Sequence, residues 1–138
     1  MIDVNTEFGA RVERRLRQDV VIWLTTVQAD GTPQPTPVWF LWNGQSFVIY
    51  SQPNQAKLRN IARDPRVALN LDGNGRGGDI VVFTGAAAVD PSIPPANQDP
   101  AYLDKYRVEI QRINMTPETF ARSYSVPIRV TPTKLRGQ

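Results

Sequence analysis

The chain of 138 residues contains no cysteine and no histidine. Without cysteine there is no disulfide framework and no thiolate nucleophile. Without either residue, zinc, iron–sulfur and histidine-ligated haem sites lose their ligands. A Ser-His-Asp triad and a histidine general base are excluded as well. Lysine is scarce, with three against thirteen arginines. Sixteen basic residues against 13 acidic ones leave a net charge of +3, which is not the dense basic stripe of a nucleic-acid binder. No apolar run exceeds five residues, so no segment reads as a membrane span. No apolar stretch follows Met1 as a signal peptide would require. The expectation is one cytoplasmic domain over residues 1–138, large enough for its own core.

Phe8, Val12 and Leu16 recur every four residues and predict a helix over 7–18. Its polar side carries Arg11, Arg14, Arg15 and Arg17, which read as a solvated face. From Val20 to Ala56 the only charged residue is Asp30, and all three tryptophans lie there (Trp23, Trp39, Trp42). Strands wetted on one side alternate apolar with polar, yet Val38 to Trp42 is apolar on both faces. Such a strand must be covered twice: by its own core, and by a partner subunit or a flat ligand.

Turn residues divide the rest. Asp30-Gly31 and Asn43-Gly44 separate strands predicted at about 20–28, 33–42 and 45–51, with Asn43-Gly44 as a two-residue hairpin turn. Pro33, Pro35 and Pro37 remove alternate N–H groups from one side of the second strand. That side is either a sheet edge or backbone facing a ligand. A helix is predicted over 55–63, ended by Asp64-Pro65, with Leu58, Ile61 and Ala62 inward. Strands follow at 67–71 and 79–90, joined by the glycine-rich stretch Gly73–Gly78, which is a plain connection or a lid. Asp99-Pro100 and Thr116-Pro117 are helix starts within 100–124, and 126–135 is a final strand. Core strands over 20–90 with short helices in the gaps make a mainly β fold: a six-stranded antiparallel split β-barrel.

The stretch from Tyr50 to Asn60 is the densest in chemistry. A strand ends at Ser51 and a helix opens about four residues later, so free N–H groups and a positive dipole end lie near a hydroxyl. Lys57 falls in the first turn, with Asn60 one turn on along the same face. This is either a phosphate cradle or an ordinary surface helix with a solvated lysine.

The order of the proline-bearing strand ending in Val38-Trp39-Phe40, Tyr50-Ser51, Lys57-Leu58-Arg59-Asn60-Ile61 and Asp64-Pro65-Arg66-Val67 resembles the split β-barrel flavin-binding superfamily. Its namesake is pyridoxamine 5′-phosphate oxidase. Leu71 to Ile80 and Phe83 to Ala87 are most similar to the small actinobacterial, mycobacterial-type branch that uses the deazaflavin coenzyme F420.

The resemblance implies a homodimer with cofactor between two barrels. It implies Ser51 and Lys57 on the cofactor phosphate, supported by Asn60, with Gln55 and Arg59 as further contacts. The backbone of Thr36, Pro37, Val38 and Trp39 would flank the ring, with Thr36 and Val38 supplying N–H groups. Arg11, Arg14, Arg15, Arg17 and Arg76 would meet an anionic tail. The reaction implied is hydride transfer from reduced F420 to an electron-poor small molecule such as a quinone, an enone or a conjugated pigment. Product would be protonated by solvent or Tyr50, and no metal, nucleic acid or membrane is involved. Pyridoxamine phosphate oxidases bind substrate through a C-terminal Arg and His. With Arg136 and no His, a different substrate is implied. An FMN-dependent reductase or oxidase of the same fold, and a non-catalytic cofactor carrier, are the alternatives.

Overall fold

The computed structural model describes residues 1–138. Helix α1 (Glu7–Gln18) opens at Thr6, whose side chain accepts the Gly9 N–H at 2.9 Å, and it buries Val12 and Leu16. Strands β1 (Val21–Val27), β2 (Pro33–Trp39), β3 (Leu41–Trp42) and β4 (Phe47–Ser51) follow, then α2 (Ala56–Arg63). Next come β5 (Arg66–Asn70), β6 (Val81–Val89), α3 (Pro100–Arg112), α4 (Pro117–Ser123) and β7 (Val126–Gly137). Both late helices begin as the sequence predicts: Asp99 accepts from two first-turn N–H groups, and Thr116 forms a capping box with Thr119.

All strands lie in one antiparallel sheet ordered β2-β1-β5-β6-β7-β4-β3. The two end strands, β2 and β3, are separated in the chain by Phe40 alone, so the sheet curls into a half-barrel until its edges are joined covalently. The β2 edge stays unpaired, and Pro33, Pro35 and Pro37 take N–H groups off its outer side. At the β6–β7 crossing the register slips between Thr84 and Gly85. A Cβ on Gly85 would stand 2.2 Å from the Thr131 carbonyl oxygen, so the bulge requires glycine there.

Seven strands replace the six expected, because the strand predicted over 33–42 breaks at Phe40. The Phe40 N–H donates to the Tyr106 hydroxyl at 2.7 Å, and its carbonyl accepts from Lys105 Nζ at 2.9 Å. With its backbone groups satisfied by α3, Phe40 leaves the ladder, and the chain swaps β1 for β4 as neighbour. The predicted two-residue turn at Asn43-Gly44 is corrected too. Asn43 N–H donates to the Ser46 carbonyl at 3.1 Å, and the Asn43 side chain accepts from the Gln45 and Ser46 N–H groups. Only Gly44 there has positive φ (94°), so Asn43 braces the turn from its first position. Ala62, expected inward, is exposed.

Two apolar clusters flank the same strands. Inside the half-barrel, Val12 and Leu16 of α1 pack with sheet residues that include Phe40, Phe47 and Phe83. Outside, Val48 and Tyr50 pack with Ile93, Tyr102, Tyr106, Ile110 and Phe120, with Trp39 and Leu41 against them. Every residue of β4 is therefore buried. Of Val38 to Trp42, the segment expected to need a partner subunit or a flat ligand as second cover, Trp39 and Leu41 pack on this outer cluster, Phe40 is buried and the other four residues are half-buried. Each large apolar side chain fully buried contributes about 1.5–3 kcal/mol.

Candidate functional site

A cleft of about 340 Å³ opens where β2, the end of β4, the start of α2 and the late helices meet. Three segments bring chemistry to it. From β2 come Pro37, Val38 and Trp39; from the end of β4, Tyr50 and Ser51; from the entry to α2, Gln55 and Lys57. The rest of the lining is largely aromatic: Phe120 and Tyr124 of the α4 region, with Tyr102. Tyr106, Trp39, Phe120 and Tyr124 form a continuous parallel stack with centroid spacings of 4.9, 5.5 and 4.5 Å.

The α2 corner gathers several hydrogen-bond donors. The chain turns there through Asn54 at φ 64°, braced by Arg59 Nη1 donating to the Asn54 carbonyl at 3.2 Å. Gln55 caps α2 without any side-chain hydrogen bond, so the first-turn N–H groups lack a side-chain acceptor. Lys57 is half-buried on the cleft wall, and the structure gives it neither an ion pair nor a hydrogen bond. Burial holds its pKa below the usual lysine value, since a charge there has lost water and gained no partner. The Ser51 hydroxyl, buried beside it, donates to the Gln52 carbonyl at 2.8 Å, a bond it would have to exchange to donate to a ligand.

Not every expected residue reaches this cleft. Asn60 is buried behind it: its Nδ2 donates to Thr26 Oγ1 (2.9 Å) and Gln34 Oε1 (2.8 Å), and its Oδ1 accepts from Arg63 (3.1 Å). Arg59 is spent on the Asn54 loop. Thr36 lies one residue up β2 and outside the lining. Because Pro33, Pro35 and Pro37 have no N–H, the ladder to β1 must run through Gln34, Thr36 and Val38. The Thr36 and Val38 N–H groups therefore point into the sheet, not toward a ring. Tyr50 presents its ring to the cleft, but its hydroxyl donates to the Pro94 carbonyl at 2.6 Å. Burial also pushes its pKa up to about 12, so it is held as a structural donor and does not stand ready to give a proton.

The arginines expected to meet an anionic tail are elsewhere. Asp79 binds Arg11 Nε at 2.9 Å and Arg15 Nη1 at 3.0 Å, and Arg15 also bonds Asp19 at 2.6 Å and the Asp72 carbonyl at 2.7 Å. These contacts fasten the Gly73–Gly78 turn to α1. Within that turn Asn74 Oδ1 accepts from the Arg76 and Gly78 N–H groups, which supports the plain-connection reading. Missed from sequence were Tyr102, Ile113, Phe120 and Tyr124. Helical periodicity marks them as inward without telling core from cleft.

A family model described as pyridoxamine 5′-phosphate oxidase matches residues 8–133. The chain belongs to this family. Its fold supports oxidoreductases that bind flavins or related cofactors. Among solved structures, one titled F420 reductase is 26% identical, covering 91% of this chain and 96% of that one, with a TM-score of 0.67. A conserved hypothetical protein of Mycobacterium tuberculosis is 21% identical over 95% of this chain and 82% of its own, with a TM-score of 0.67. A haem storage protein of Vibrio cholerae shares the fold at 15% identity and a TM-score of 0.63, covering 91% and 92%. No curated protein matches the sequence. No helix of this family member is long and apolar enough to cross a membrane.

Proposed function

We propose that the protein is a deazaflavin-dependent oxidoreductase that binds coenzyme F420 through Lys57, Ser51 and the open first turn of α2. The observation that carries this reading is Lys57 itself, a half-buried cation with no partner, beside uncapped N–H groups in an otherwise apolar cleft. A phosphate supplies what this corner lacks: negative charge and acceptors for several donors. The residues present thus fit the phosphate of F420 or of FMN. Likeness to an F420 reductase over nearly the full length of both chains favours the deazaflavin.

When bound, F420 would supply a hydride for an electron-poor small molecule such as a quinone, an enone or a conjugated pigment. The protein's part is to bind and orient. Lys57 and Ser51 would hold the phosphate, while Pro37 to Trp39, continued by the stacked rings of Phe120 and Tyr124, would form the apolar surface that excludes water. Two copies would complete the site, as the family resemblance implies. The haem chemistry of the Vibrio neighbour finds no histidine or cysteine here to ligate iron.

The test is a side-by-side titration of the purified protein with F420 and FMN, followed by quenching of ligand fluorescence. Saturable binding of F420 that weakens about tenfold in Lys57→Ala is expected, one charge-assisted contact being of that size. Tight stoichiometric FMN with weak F420 would shift the reading to a flavin enzyme. Binding of F420 with no turnover against any acceptor would leave a carrier.

A further inference from the structure

Lys57 and the Pro37–Trp39 side of the cleft belong to different elements. Lys57 stands on α2, and Pro37 to Trp39 stand on β2. What joins them lies behind the site. Asn60, one turn beyond Lys57, is 5% exposed and bonds at once to β1 and β2: Nδ2 to Thr26 Oγ1 at 2.9 Å and to Gln34 Oε1 at 2.8 Å. Its Oδ1 accepts from Arg63 Nη2 at 3.1 Å, and the same nitrogen donates to the Val27 carbonyl at 2.8 Å. Both amide protons and the carbonyl oxygen of Asn60 are used, and all its bonds to other elements run to the strands that form the β2 side of the cleft.

Apolar packing alone would not hold that register. In α2 only Ile61 is a buried apolar residue, with Leu58 half-buried, so the helix is free to slide or roll on a small greasy contact. Hydrogen bonds are directional and fix what packing leaves loose. We infer that Asn60, with Gln34 as its partner, is a positioning residue that sets where the Lys57 ammonium stands relative to the Pro37–Trp39 wall. The inference rests on the phosphate reading of Lys57 given above. It assigns Asn60 no contact with the ligand.

A positioning role has a signature that simple stabilisation lacks: the effect passes through Lys57. The probes are coenzyme F420 and the riboflavin-like deazaflavin that lacks its phosphate, each titrated by fluorescence quenching. In the wild type the phosphate-bearing form should bind more tightly. Asn60→Ala should lose about tenfold for F420, the size of one charge-assisted contact, and leave the phosphate-free chromophore unchanged. In the double variant Lys57→Ala/Asn60→Ala the F420 loss should equal that of Lys57→Ala alone, since neighbours acting through one contact do not add. Gln34→Met, which removes only the β2 acceptor at a half-exposed position, should show the same selective loss in smaller degree and covers the case of an Asn60 variant that fails to fold.

Equal loss for both probes, or additive loss in the double variant, would overturn the positioning role while leaving the phosphate site of Lys57 standing. Equal binding of the two probes by the wild-type protein would remove the phosphate site, and the positioning role with it.

Discussion

On α1, three of the four arginines stand beside acids. Arg15 meets Asp19 and Asp79, Arg11 meets Asp79, and Arg17 meets Glu13. On α2, Lys57 is half-buried with no acid in reach. The first helix carries the densest run of basic residues in the chain, and its charges fasten a loop. The second carries one lysine, and that charge is left for something else to satisfy. A charge that folding has already neutralised is spent, whereas a desolvated cation kept without a partner is a candidate binding group. Local density of charge along a sequence does not separate the two.

Removing the acid that serves α1 should have the largest effect. Asp79→Asn keeps a side chain that tolerates the left-handed backbone (φ 54°) but strips the carboxylate from Arg11 and Arg15. A loss of about 1–2 kcal/mol in urea unfolding is expected, below the value for a fully buried pair because these groups are partly wet. Affinity for F420 should not change.

Lys57→Ala should do the reverse. Unfolding free energy should stay within about 0.5 kcal/mol of wild type, while F420 affinity falls about tenfold. The same lysine predicts a pH dependence. Its pKa lies below the usual value, and an anion prefers the ammonium form, so F420 affinity should decline as pH rises through that lowered pKa. Flat affinity from pH 7 to 10 would show that the Lys57 charge takes no part.

Lys105 lies between the two cases: buried like Lys57, yet donating to the Leu16 and Phe40 carbonyls at 3.1 and 2.9 Å. Burial takes its pKa down to about 8, against 10.5 when unfolded. Between those values the unfolded chain holds more protons, so this group makes stability rise with pH. A gain on the order of 1 kcal/mol from pH 8 to 9.5 is expected, after allowance for solvent screening, and should vanish in Lys105→Met. The smallest effect belongs to the exposed pair at the end of α1. Arg17→Gln, breaking the 3.4 Å contact with Glu13, should move stability by less than about 0.5 kcal/mol.

Much of this architecture is readable along the chain. The period of Phe8, Val12 and Leu16 marks α1 over Glu7–Gln18, and Asp99-Pro100 and Thr116-Pro117 mark the later helix starts, because capping and amphipathic period are local. The three alternate prolines mark β2 as an end strand for an equally local reason, the missing N–H groups. Ser51, Gln55 and Lys57 stand out because a strand end, a short loop and a helix start follow one another within seven residues. The break at Phe40 is not readable, since its cause is a pair of side chains on α3, 65 and 66 residues away. Nor is the aromatic wall of Phe120 and Tyr124, which a helical pattern cannot tell from core.

The sequence by itself determined the kind of sheet, where most of its turns fall, the absence of histidine and cysteine chemistry, and the strand-to-helix corner from Ser51 to Lys57. All of these follow from residues within a few positions of one another. Tertiary structure decided that α3 and α4 cover the second apolar face of β4. It also decided that Asn60 braces the site from behind, that Tyr50 is bound to Pro94, and that Arg11, Arg15 and Arg17 of α1 are already paired while Lys57 is not. Whether a polar or charged group is free depends on which distant group folding brings within hydrogen-bond reach, and no local pattern encodes that distance.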